Sequence, residues 1–169
     1  MVAGPLRRIH ALAAAVIWTV LLGGCADDLG SVAAQQGITA PAIVRLSEGF
    51  AVAARRVEHG VEVFAFTGTA GTGWSAVVIG TGRGGGEMAT HLVSMGGETG
   101  QEWNSFFFGT ASGVASRVVV DGIDATGGQV ADGAWVLAFR DRDLVPGQLA
   151  WRALDAIGRV IDSGTGITP

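Results

Sequence analysis

The chain has 169 residues, with 11 basic side chains against 15 acidic ones and a formal charge of −4 at pH 7. Every basic residue is arginine, and cysteine occurs once. The acidic balance argues against charge-driven binding to nucleic acid and against broad adhesion to anionic lipid, and a lone thiol excludes an intramolecular disulfide framework.

At the N-terminus, Arg7 and Arg8 precede an uncharged stretch whose most apolar part, "ALAAAVIWTVLL", covers residues 11 to 22. A basic segment followed by an apolar run of that length is the pattern of a secretory signal, whereas a permanent membrane helix needs about 20 apolar residues. The run ends on Leu22, Gly23, Gly24 and Cys25: an aliphatic residue, two small residues and the only cysteine. This quartet resembles the lipobox of bacterial lipoproteins. The resemblance implies that a signal peptidase recognises Leu22, Gly23 and Gly24 and cuts before Cys25. It also implies that Cys25 carries a diacylglycerol thioether, so that membrane lipid is its first partner. Two acyl chains make a stable anchor, because each buried methylene contributes about 0.8 kcal/mol and one chain holds only marginally. The expected location is the extracytoplasmic face of the cell membrane. An uncleaved signal anchor is the alternative. His10 stands where a twin-arginine signal prefers a hydrophobic residue, which favours the general secretory route.

Without residues 1–24, nine arginines face 15 acids, a formal charge of −6. With Cys25 acylated no thiol is left, so the domain must rest on its apolar core. The exclusive use of arginine and the abundance of Ala, Gly and Val read as the bias of a GC-rich, actinobacterial genome.

Residues 26–42, "ADDLGSVAAQQGITAPA", are small and polar, with Gly30, Gly37 and Pro41 as breakers. The expectation is a flexible tether with a reach on the order of 20–25 Å, in which a helix over "GSVAAQQ" would be too short to persist alone. From residue 43 the pattern is β throughout. "IVRLS", "GFAVAARRV", "VEVFAFT", "WSAVVIG", "MATHLVSM", "NSFFFG", "ASRVVVDG", "AWVLAFR", "LAWRALDA" and "GRVIDS" are short runs rich in β-branched and aromatic residues, separated by Gly, Asp, Asn or Pro. Turns are expected at His59-Gly60, Asp132-Gly133 and Pro146-Gly147. In "AWVLAFR", Trp135, Leu137 and Phe139 alternate with Ala134, Val136 and Ala138, so both faces are apolar and the strand is expected inside a sheet. The plan is one all-β domain, an antiparallel sandwich or barrel-like fold over residues 43–169, after a signal peptide (1–24) and a lipidated tether (25–42).

The C-terminal part, with its strand, fold-back turn and terminal "RALDAIGRVI" from Arg152 to Ile161, resembles uncharacterised extracytoplasmic sandwich modules of actinobacterial membrane-tethered proteins. Their terminal hairpin has the form "RALDADGRVL". The resemblance implies β architecture and location and carries over no catalytic residue.

Four patterns imitate active chemistry. Gly80, Gly82 and Gly85 reproduce G-x-G-x-x-G after a strand, but a dinucleotide site needs a long helix next, and Gly96-Gly97 arrives too soon. A glycine-rich hairpin tip is expected instead, and no cofactor. For a serine hydrolase, "GWSAV" around Ser75 and "GTASG" around Ser112 both miss the nucleophile-elbow spacing; a triad of Ser75, His91 and an aspartate is what remains of that reading. No metal motif occurs, and "RDRD" from Arg140 to Asp143 reads as a self-neutralised loop. The tryptophans are spread over separate strands as core filling, except Trp103, which has polar neighbours and is a candidate for a binding surface. The expected function is therefore non-catalytic: binding an envelope protein or ligand, sensing, or a structural role. The alternative is a small cell-envelope hydrolase. The candidate binding loops are Gly80 to Glu87 and Arg140 to Gly147, with Arg83, Glu87, Arg140 and Arg142 as contact side chains, because a guanidinium pairs with carboxylate or phosphate in a bidentate fork.

Overall fold

The computed structural model describes residues 28–69, 73–83, 88–94, 105–140, 144, 147 and 149–166. Each predicted β run forms a strand: β1 (Ile43–Ser47), β2 (Phe50–Val57), β3 (Gly60–Thr69), β4 (Gly73–Arg83), β5 (Ala89–Ser94), β6 (Ser105–Thr110), β7 (Arg117–Val120), β9 (Ala134–Phe139), β10 (Ala150–Leu154) and β11 (Val160–Thr165). A two-residue β8 (Thr126–Gly127) has no signal in the sequence. The fold is all-β and antiparallel. Among the described residues the strands make three sheets, ordered β1-β2-β3-β4, β5-β6-β9-β8 and β11-β10-β7, and no closed barrel.

The second sheet is the middle layer. Phe106 and Phe108 of β6, with Val136 and Ala138 of β9, pack against Val52, Ala54, Val61 and Val63 of the first sheet. The intervening residues Phe107, Trp135, Leu137 and Phe139 point the other way, onto Val118, Trp151 and Ala153 of the third sheet. This two-sided burial explains why β6 and β9 are buried at every position and why their sequences are apolar on both faces. The Phe107 and Trp135 rings meet edge to face at 5.1 Å, and the Trp135 indole nitrogen donates to the Thr110 carbonyl at 3.1 Å. A large aromatic is thereby buried with its polar atom satisfied.

The outer face of the first sheet carries a correction to the tether. Residues 29–42 are packed onto the domain: helix α1 (Leu29–Gln35) and a 3-10 turn (Ala40–Ala42) bury Leu29, Val32, Ala33, Ile38 and Ala42 against Ala51, Ala53, Phe64 and Phe66. Asp28 caps the helix through its side chain, accepting from the Gly30 N–H at 3.0 Å. Gly37, at φ +69°, ends it, with Gly37 N–H donating to Ala34 and Ile38 N–H to Ala33. Seven residues are too few for a helix to persist in water; apolar contact supplies what length does not.

The turn at Asp132-Gly133 has positive φ at both residues, +50° and +73°, and Ala131 and Ala134 exchange both backbone hydrogen bonds across it. That is the primed geometry whose twist suits a hairpin. The β2–β3 turn falls at Glu58-His59, with Val57 opposite Gly60. Pro146 of the third expected turn lies outside the described residues. The glycine-rich stretch after β4 is a second correction, since β4 and β5 belong to different sheets and the chain crosses between layers there, forming no hairpin.

Candidate functional site

Leu22, Gly23, Gly24 and Cys25 lie outside the described residues, as do Glu87, Arg142 and Trp103. Arg83 ends β4 and Arg140 follows β9, both exposed. The fold does not bring them together. The segment after Arg83 feeds Ala89 at the start of β5, whereas Arg140 leaves the sheet beyond Phe139, which pairs with Ser105 and through it with Ser94 at the end of β5. The two loops therefore meet opposite ends of the middle sheet, about 17 Å apart by strand rise.

Ser75 and His91 are also kept apart. Ser75 is exposed on β4, donates to the Thr67 carbonyl at 3.2 Å and lies 3.1 Å from the Thr67 hydroxyl. His91 is half-buried on β5, its ring 5.6 Å from Phe108, its Nε2 buried without a hydrogen-bond partner and its pKa lowered from 6.5 by burial. The ring covers Gly82, where an added Cβ would come within 2.0 Å of it. Gly82 is seven residues beyond Ser75 on the same strand, about 23 Å by strand rise. The bare G-x-G pattern thus has a packing role: Gly80 and Gly82 leave room for Phe108, Val93 and His91. A strand, β5, follows it, where a dinucleotide site requires a helix. Among the described residues no three His, Cys, Asp or Glu side chains converge as metal ligands.

A cleft of about 240 Å³ opens between the end of α1, β2 and the Asp132-Gly133 turn, lined by Ile38, Thr39, Arg55, Arg56 and Asp132. Its groups hold residues 29–42, a strap across the outer face of the first sheet. Arg55 donates to the Gln36 carbonyl at the helix C-terminus and to Glu62, with its guanidinium 5.1 Å from the Phe64 ring. A cation there complements the helix end as well as the carboxylate. The Thr39 hydroxyl donates to Asp132 at 3.0 Å, fastening the strap to the turn.

A feature that no packing role explains lies on the third sheet. The β10–β11 turn exposes Ile157 at 70%, and Val160 and Ile161 beside it are exposed at 52% and 39%. Asp155 fixes this tip: its side chain accepts from Ile157 N–H at 3.0 Å and Arg159 N–H at 2.9 Å, while Gly158, at φ +84°, donates its N–H to the Asp155 carbonyl. Such an Asx turn fixes the backbone from which Ile157 projects. Among the described residues β11 is an edge strand paired with β10 alone. Asp162, opposite the buried Ala153, points to the core-facing side of that edge yet is exposed. An inward charge on an edge discourages a further strand.

No protein-family model, curated protein or solved structure matches the chain.

Proposed function

We propose that this chain is a lipid-anchored extracytoplasmic β-domain of the bacterial cell envelope that binds a partner protein and transforms no substrate. The anchor rests on the ordered series of basic pair, apolar run and Leu22-Gly23-Gly24-Cys25. Binding rests on one observation above the others, the exposed Ile157 held on a fixed turn with Val160 and Ile161 beside it. Exposed apolar side chains grouped on a rigid element mark a contact surface, because water ordered around them is released when a partner covers them. The separation of Ser75 from His91 leaves the hydrolase alternative without an assembled nucleophile and base among the described residues.

The test is a photo-crosslinking residue placed at position 157 in the full-length protein in its own envelope, with the same residue at position 59, in the exposed β2–β3 turn, as control. A discrete adduct formed from 157 and not from 59 is expected. Equal or absent crosslinking, or ester or peptide turnover that disappears on Ser75→Ala, would overturn the proposal.

A further inference from the structure

We infer that the domain lies directly on the membrane, with the α1-covered face of the first sheet against the phospholipid headgroups of the leaflet that holds the acyl chains of Cys25. The inference rests on the lipoprotein reading above and adds an orientation to it.

Its basis is the distance between the anchor and the first fixed residue. Asp28 caps α1, and Leu29, the first residue of the helix, is buried to 1% exposure on its sheet-facing side. Asp28 is three residues beyond Cys25. Three residues of fully extended chain span about 11 Å, so the folded body has no leash on which to turn away from the lipid. A tether ending at residue 42 would have permitted every orientation. One that ends at Asp28 makes the α1 face the near pole.

The side chains of that face suit the position. Arg45 pairs with Ala51 and Val78 with Phe64, both of the cluster under α1, so Arg45 and Val78 share its face. Trp74 packs on the same cluster, and the Arg45 guanidinium stands 5.6 Å over its ring. Val78 is 45% exposed on β4, the strand against which α1 lies. A cation stacked on an indole, beside an exposed aliphatic, matches the boundary between phosphate and acyl chain, where tryptophan places its ring and arginine its charge. The opposite pole is the third sheet. It stands two layer spacings from the first sheet, about 20 Å, so the β10–β11 turn that carries Ile157 lies farther from the membrane than the α1 face.

The experiment uses the full-length protein purified from membranes, with Val78→Cys or Ile157→Cys labelled by a nitroxide. Both positions are exposed, so neither substitution opens the core. Each protein is placed in vesicles of zwitterionic phospholipid containing a gadolinium-chelating headgroup, and acylation of Cys25 is read in the same samples by mass spectrometry. The expected relaxation enhancement at position 78 is at least about ten-fold that at 157, given the layer spacing between them. A Gly/Ser spacer inserted after Ala26 should bring the two values together while acylation persists. Acylated protein with equal enhancement at both positions overturns the orientation and leaves the anchor standing. Protein without acylation overturns the anchor, and the orientation with it.

Discussion

His91 shows how one side chain accounts for a glycine and a pH response. Its ring lies over Gly82, and a methyl group there would enter the ring's volume. Gly82→Ala should therefore cost about 1–3 kcal/mol, the usual effect of overpacking. Combined with His91→Ala, the loss should be smaller than the sum of the two single changes, because the second substitution removes the clash. Urea unfolding of the three variants checks this, and strict additivity would contradict the contact. Burial also holds the pKa of His91 below the ordinary 6.5. The unfolded chain then binds more protons than the folded one, so this contribution to stability is complete above the unfolded value and is lost as pH falls through the folded one. Between about pH 7.5 and 5.5 the unfolding midpoint of the wild type should fall more than that of His91→Gln, which has no titrating ring. Parallel profiles would show that burial of His91 carries no pH dependence.

At the scale of elements, the strands were legible and the strap was not. Runs such as "AWVLAF" announce themselves by β-branched and aromatic density, and their two apolar faces correctly mark an interior strand. The apolar residues of α1, Leu29, Val32 and Ala33, do follow the i, i+3, i+4 spacing of a helix face, with an Asp28 cap and a Gly37 stop. They span barely two turns and include Gly30, so propensity alone gives a coil; burial over Phe64 and Phe66 decides the matter. β8, two residues long, is too short for any periodicity. Leu29→Ala should cost roughly 2–5 kcal/mol, as for other fully buried leucines. A domain starting at residue 43 should melt well below one starting at residue 28, since its Ala51, Ala53, Phe64 and Phe66 would lose their cover. Calorimetry of the two proteins decides, and equal midpoints would mean that α1 adds nothing to the fold.

For the whole molecule, the sequence carries the β class and an expected location, while the layering and the exposure of the β10–β11 tip come from tertiary packing. The two apolar faces of "AWVLAF" show that β9 is covered on both sides, but the same burial of β6, and which strands cover the pair, depend on a chain crossing between sheets after β4, which no local pattern reports. Arg83 and Arg140 look equivalent as charged loop residues, and only strand register reveals that they serve opposite ends of the middle sheet. Val160 and Ile161 read as ordinary strand residues, and their exposure follows from the edge position of β11. Ile157→Asp should leave stability within about 0.5 kcal/mol, as for surface changes that open no cavity, while abolishing capture of the partner. A variant that folds normally and keeps its partner would remove the tip from the account.

The claim on which the rest depends is covalent attachment of lipid at Cys25. Metabolic labelling with an alkyne fatty acid, followed by mass spectrometry of the N-terminal peptide, tests it most directly. The account predicts a mature protein that begins at Cys25, carries a diacylglycerol thioether and takes up label, with no label after Cys25→Ala. A mature chain that retains residues 1–24, or a wild-type Cys25 with a free thiol, would contradict it.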